Sequence, residues 1–220
     1  MYRALGASLL EFLWLSARKG SLPAIAIEGR ERFDQAKGLG QGVIVATAHT
    51  GNWDLVACVC AKETPLAVVT RRLSARGLDA LWQGTRRARG VDLIAAPDGD
   101  VLGKARAKLA SGGAVALLID QDPERTHGVV FEPFLGEIAA HDVLPAVLSA
   151  RSGAPIVLAL GSRGRGHRVR IVETWVPPAR ASRAWIEETT RALAARVEDA
   201  VREAPEEWLW MHRRWKTRPR

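Results

Sequence analysis

The chain predicts a single α/β domain, with a central, mostly parallel sheet flanked by helices. Three observations carry this. Short apolar runs bounded by glycine or proline alternate with helix-period segments from residue 24 to residue 203. The two kinds of segment alternate singly rather than in blocks, the pattern of strand–helix–strand crossovers. Hydrophobic residues make up 47% of 220 positions, enough to fill one core. No internal repeat, low-complexity stretch or linker interrupts the series.

Residues 2–17 read as a first helix, with Arg3 before it and Arg18-Lys19 closing it. Its Leu9-Leu10-Glu11-Phe12-Leu13-Trp14-Leu15 core is apolar but broken by Glu11 and too short to span a bilayer, which needs about 20 apolar residues. Two placements fit it, the membrane interface and the domain core, and one face can serve each. Ala24-Ile25-Ala26-Ile27 is a strand ending at Glu28-Gly29. Arg30 to Lys37 form a short helix, and the glycine-rich turn 38–42 leads into a buried strand at Val43-Ile44-Val45-Ala46. Leu55-Val56-Ala57-Cys58-Val59 is the body of the next helix. Pro65–Val69 is a strand, residues 75–89 an arginine-rich helix, and Val91–Ala95 a strand. Asp98 is a cap for a helix reaching about Ala110, which Gly112-Gly113 ends. Ala114–Ile119 is the most strand-like run of all. Residues 120–138 read as a loop, and 141–151 as a helix bent or shortened by Pro145. Pro155–Leu160 and Arg168–Val172 close the sheet; the Gly-Ser-Arg-Gly-Arg-Gly turn between them predicts an antiparallel hairpin. Ser182 starts a long amphipathic helix over 182–203. The expected division is an interfacial helix at 1–20 and a main domain at 21–220.

The formal charge is +8 and the pI about 10.3, so the surface suits an acidic partner: nucleic acid, anionic lipid, a phosphorylated substrate or an acidic carrier protein. Tryptophan, an interface-seeking residue, supplies 8 of the few aromatics. The two cysteines, Cys58 and Cys60, lie two apart on a helix and face different ways, which fits no disulfide or shared metal and suits a reducing compartment. The N-terminus carries no signal-peptide pattern.

Chemistry concentrates at His49-Thr50-Gly51-Asn52-Trp53-Asp54. The histidine follows an apolar strand and precedes a helix, so it stands at the carboxyl end of a sheet, where open α/β folds place ligands. Asp54, in the first helical turn, is positioned to fold back onto one ring nitrogen and leave the other as a base. In the alternative reading, His49 caps the helix and Asp54 complements its dipole. No Gly-x-Ser-x-Gly elbow occurs, so no serine nucleophile is signalled. A base without a protein nucleophile fits a substrate that brings its own hydroxyl. Asp120-Gln121-Asp122 follows another apolar strand and reaches the same edge if the two strands are neighbours; it can cap a loop, shape the site or, less readily, bind Mg²⁺. Arg71-Arg72 also follow a strand, suited to clamping phosphate, steadying an oxyanion or simply carrying surface charge. Phe131–Gly136 can line an acyl groove or fill the core. The tail 208–218 mixes tryptophan with cations, a composition that suits single-stranded nucleic acid and anionic membrane equally. His127, His141 and His167 show no zinc-ligand spacing.

Together these segments resemble the late acyltransferases of lipid A biosynthesis, within the lysophospholipid acyltransferase superfamily. The match runs through Ile27-Glu28-Gly29, the His49–Asp54 motif, Asp120-Gln121-Asp122 with Phe134-Leu135-Gly136, and most specifically the Trp208-Leu209-Trp210-Met211-His212-Arg213-Arg214-Trp215-Lys216-Thr217-Arg218-Pro219 run. The resemblance implies a glycerolipid acyltransferase-like fold. It implies acyl transfer from acyl carrier protein or coenzyme A to a hydroxyl of a lipid A precursor, with His49 as general base and Asp54 orienting it. Arg71 is expected to hold acceptor phosphate or an oxyanion. Asn52, Asp120, Gln121, Asp122, Phe134, Gly136, Arg213 and Arg214 are expected on the substrate side. It implies no metal or organic cofactor, no nucleic-acid partner, and a peripheral place on the cytoplasmic face of the inner membrane. Many lipid A enzymes carry glutamate at the position of Asp54. The motif also resembles mannolipid acyltransferases acting on phosphatidylinositol mannosides, and a lysophospholipid is a further alternative acceptor; the basic tail favours the lipid A side. Family members usually carry an anchoring helix ahead of this start, so either residues 2–17 bind the membrane peripherally or the start is truncated.

Overall fold

The computed structural model describes residues 2–17, 22–96, 99–164 and 166–219. The chain order is α1 (Tyr2–Ala17), β1 (Ala26–Glu28), α2 (Arg30–Gly38), β2 (Val43–Thr47), α3 (Trp53–Cys60), β3 (Leu66–Thr70), α4 (Arg76–Ala88), β4 (Val91–Ala95), α5 (Val101–Ala110), β5 (Ala114–Leu118), β6 (Val129–Phe134), β7 (Glu137–Asp142), α6 (Leu144–Ser152), β8 (Ile156–Ser162), β9 (Arg168–Trp175) and α7 (Arg183–Glu203). Seven strands form the main sheet in the order β1-β9-β8-β2-β5-β3-β4. β8, β2, β5, β3 and β4 run parallel, and β9 folds back antiparallel on β8 as the turn composition predicts. β1 pairs parallel with β9. The central strands β2 and β5 are apolar along their length because helices cover both of their faces.

One core face packs Ile44, Ala46, Val115, Leu117, Ile156 and Leu158 against α5, α6 and α7. On the other, Leu66, Val68, Ala114 and Ala116 meet Cys58 of α3, and Val43, Val157 and Ile171 meet Ala36 of α2. α1 lies against α3 and α4, and Phe12 stacks on Trp82 with ring centroids 4.0 Å apart. The core placement of this helix is seen on one face, where Phe12 and Leu15 are buried, while Tyr2, Leu9, Leu10, Leu13 and Trp14 face outward.

Several expectations are corrected. Residues 120–138 are not all loop: β6 and β7 form a separate antiparallel pair. Its turn is tight because Leu135 and Gly136 both take positive φ, 55° and 91°, which aligns the hairpin twist. Alternation was masked there by Pro133 and Gly136. The helix read over 141–151 starts at Leu144, because His141 and Asp142 complete β7 and Pro145 suits a first helical turn. The cap of α5 is Asp100, whose carboxylate accepts from Gly103 N–H at 2.7 Å. Asp98, Arg18 and Lys19 lie outside the described residues.

Candidate active site

The β2–β5 register builds the site. Thr47 pairs with Leu118, so two residues further on, His49 and Asp120 leave the sheet side by side. His49 Nδ1 lies 2.9 Å from Asp120 Oδ1, and the His49 backbone N–H donates to Oδ2 at 3.0 Å. Trp208 Nε1 donates to the same Oδ2 at 2.8 Å. The carboxylate is fully buried, yet its pKa falls to about 2: burial alone raises it, and the charge and donors of His49 with the Trp208 indole outweigh that. An ionised Asp120 fixes the Nδ1–H tautomer of the ring and leaves Nε2 as the free base. Nε2 faces the Gln121 side-chain amide at 3.5 Å, and the ring lies edge-on to Trp53 with centroids 4.9 Å apart. His212 approaches the Asp120 carbonyl at 3.4 Å.

Asp54 does not fold back onto His49. It is buried beneath the first turn of α3, where Arg86 of α4 holds it: Nε donates to Oδ1 at 2.7 Å and a second guanidinium nitrogen lies 2.5 Å from the same oxygen. Burial pushes its carboxyl above the ordinary range, and Arg86 pulls it only partly back. The side chain turns to the neighbouring helix, where the Arg86 guanidinium compensates a carboxylate that is only 3% exposed. Asp54 thus positions the motif from below, and Arg86, read only as part of an arginine-rich helix, completes it.

Asn52 caps α3 by accepting from Leu55 N–H at 3.1 Å, and its amide donates to Glu11 at 2.7 Å. Gly51 takes φ 59°, and a Cβ there would come within 2.9 Å of the Gly161–Ser162 backbone, so glycine is required. Glu11, the residue that breaks the apolar run of α1, also receives Arg163 at 2.6 and 3.0 Å and lies 3.3 Å from His167. The first helix is thereby fixed to the motif loop.

Arg71 is exposed near the site, 3.9 Å from Glu124 of the Asp120 loop. Asp122 accepts from the Thr217 backbone and hydroxyl at 2.8 and 2.6 Å and from Glu124 N–H at 2.7 Å. Both aspartates of the pair are therefore occupied by protein donors. Phe134 is core, 1% exposed and packed on Trp208 and His141, and Gly136 serves its hairpin turn; neither reaches the site. Arg214 is also removed from the substrate side. It is wholly buried, donates to the Ala140 carbonyl at 2.6 Å, contacts His141 Nδ1 at 2.8 Å and lies over the Phe134 ring. Burial lowers its pKa to about 10 and that of His141 to about 3. Arg213 is exposed. In the tail, Trp208 and Arg214 are packed inside and Trp215 donates to the Phe134 carbonyl at 3.2 Å, so these groups brace the Asp120 loop instead of offering a stacking surface for bases.

On the opposite face of the sheet from Phe134, an apolar slot of about 110 Å³ runs between the strands and α2 and α3. Thr47, Trp53, Asp54, Arg86 and Leu118 line it near His49; Cys60, Glu63, Thr64, Leu66 and Ala114 line it at the remote end. Among the described residues, no group of three or more His, Cys, Asp or Glu side chains is arranged to hold a metal.

The phosphatidylinositol mannoside acyltransferase of Mycobacterium tuberculosis is 26% identical over 198 residues, covering 86% of this chain and 59% of that one. The corresponding protein of Mycolicibacterium smegmatis is 25% identical over 185 residues, covering 80% and 57%. The chain thus spans under two thirds of the length of these relatives. A crystal structure of the 1-acyl-sn-glycerophosphate acyltransferase of Thermotoga maritima superposes with a TM-score of 0.49 at 14% identity, covering 89% of this chain and 76% of that one. The family model for bacterial lipid A biosynthesis acyltransferases matches residues 1–217, and the chain belongs to that family.

Proposed function

We propose that this chain transfers a fatty acyl group from a thioester, on acyl carrier protein or coenzyme A, to a hydroxyl of a phosphorylated membrane glycolipid, with a lipid A precursor as the acceptor. The carrying observation is the His49–Asp120 pair, 2.9 Å apart at the carboxyl edge of the sheet, beside an apolar slot that shares Trp53 with it. His49 Nε2 takes the proton of the acceptor hydroxyl as its oxygen attacks the thioester carbonyl. The C–S bond then breaks, and the imidazolium returns the proton to the departing thiolate. Asp120 steadies the imidazolium throughout. The slot takes the acyl chain, in place of the groove expected at Phe131–Gly136. No step calls for a metal or organic cofactor. Arg71, exposed at the same edge, suits the acceptor's phosphate.

A second reading keeps the chemistry and changes the acceptor to a phosphatidylinositol mannoside. The names of the relatives favour it.

The outward face of α1 supports a membrane side for this reading. Leu10 and Trp14 there are 68% and 44% exposed, and Leu73, Leu78 and Leu81 stand out on and before α4, which packs against α1. Arg71, Arg72 and Arg76 accompany them, a composition suited to a peripheral seat on an anionic membrane such as the cytoplasmic leaflet. No helix among the described residues is long and apolar enough to cross a membrane.

Mass spectrometry of total lipids, from cells expressing this chain in a background lacking late acylation, tests the proposal. An added acyl mass on a lipid A precursor supports the first acceptor, and one on a phosphatidylinositol mannoside the second. No added mass on either, or equal addition by His49→Ala, refutes it.

A further inference from the structure

Charged side chains join core residues such as Leu66 and Ala114 in lining the apolar slot away from His49. Glu63, just beyond α3 and ahead of β3, stands at the remote end, and Arg30 from the first turn of α2 reaches over the slot to it, with Nη2 2.5 Å from Oε2. Both residues line the slot, and their side chains are 53% and 42% exposed. Asp54 and Arg86 form another ion pair lining the slot, at its His49 end; the Arg30–Glu63 pair has its carboxylate at the remote end. A surface pair of this kind adds little to stability. Its position gives it another use.

We infer that the Arg30–Glu63 pair is the stop that sets the longest acyl chain this protein accepts; the inference rests on the proposed acyl transfer. The slot follows β2 and β5, each of five residues. Four steps at about 3.3 Å each make about 13 Å from the His49 end to the stop. An extended chain advances about 1.2 Å per bond, so about ten to eleven bonds fit. Up to that depth each methylene leaves water for Val45, Val68, Ala116 and Ala57, all lining residues. A longer chain meets two ionic groups. It must then separate them, which strips charge of its partner, or coil within a slot too narrow for it. Cys60, beside the stop, sets how much room remains in front of it.

The test is binding of alkyl coenzyme A thioethers, octyl to octadecyl, below their micellar concentrations, measured by calorimetry on the whole protein. These probes do not react, so the readout is independent of turnover. For the unaltered protein, affinity is expected to rise about fourfold per methylene, peak between decyl and tetradecyl, and then fall. In Glu63→Ala, and separately in Arg30→Ala, the fall is relieved, and the ratio of hexadecyl to decyl affinity rises at least tenfold. In Cys60→Phe the peak moves to shorter chains. Both opening variants change exposed side chains, so their fold is retained. A peak that stays in place in all three variants overturns the stop while leaving acyl binding intact. Affinity that climbs without a break to octadecyl overturns it as well. Indifference to chain length overturns the acyl slot itself.

Discussion

Asp120→Asn separates the geometry described here from the simpler pairing of His49 with the nearest acid in sequence. The substitution keeps the size of the side chain and removes its charge. The Asp120 pKa of about 2, against an ordinary 3.8, corresponds to about 2–3 kcal/mol of preference for the charged form, or roughly 60-fold. A second effect adds to it. The amide of Asn can turn its NH₂ toward Nδ1, which places the ring proton on Nε2, where the base is needed. Amidating the orienting carboxylate of a serine-protease triad costs about 10⁴-fold through this change of tautomer. A loss of kcat between roughly 60-fold and 10⁴-fold is therefore expected, with KM for the thioester little changed. The assay is transfer of a radiolabelled acyl group to the lipid acceptor under saturating donor, with circular dichroism confirming the fold. A loss below about threefold would refute the assignment of Asp120 as the partner of the base.

Asp54→Ala strands Arg86 in the interior and is expected to cost about 3–5 kcal/mol of stability by denaturant titration, whereas Asp54→Ala with Arg86→Met recovers much of it. Trp208→Phe removes one of the donors to Asp120 and should lower stability by about 1–3 kcal/mol and reduce kcat; an unchanged kcat would show the indole to be packing alone. Acid titration of stability reads His141 and Asp120. Below pH 6.5 the unfolded chain binds a proton that folded His141 refuses until about pH 3, so stability falls as pH drops through that window. Asp120 acts lower, with its contribution lost between 3.8 and about 2. His141→Gln should flatten the upper part of this limb in urea melts taken from pH 7 to pH 4. Leu10→Glu with Trp14→Glu should weaken binding to anionic vesicles at least tenfold by co-sedimentation, since each buried apolar side chain contributes about 1.5–3 kcal/mol.

The sheet was legible because its central strands are buried on both faces and write continuous apolar runs. The His49 edge was legible for the same reason, and so was the adjacency of the Asp120 loop once β2 and β5 were neighbours. The identity of His49's partner was not. Asp54 is close in sequence, but its buried carboxylate is paired with Arg86, and no local pattern announces a contact made by an arginine 32 residues later. The β6–β7 pair was hidden by its proline and its positive-φ turn. The tail was misleading in a different way: tryptophan beside arginine describes a wet stacking surface and a buried brace equally well, and only the register with Asp120, Asp122 and Phe134 decides between them. Cys58 and Cys60 behave as the spacing suggested, as separate thiols, with burial pushing them to about 12 and about 11.

The brace has a consequence for how the chain matures. All the strands of the main sheet are complete by Trp175, whereas the indole and the threonine that fasten the Asp120 loop come from residues 208 and 217. During synthesis every strand of that sheet emerges before the residues that fasten the Asp120 loop. A protease cut in the segment after α7 would take Trp208 and Arg214 out of the interior together with both fasteners of the Asp120 loop, so the body left behind is expected to lose stability and the His49–Asp120 geometry at once.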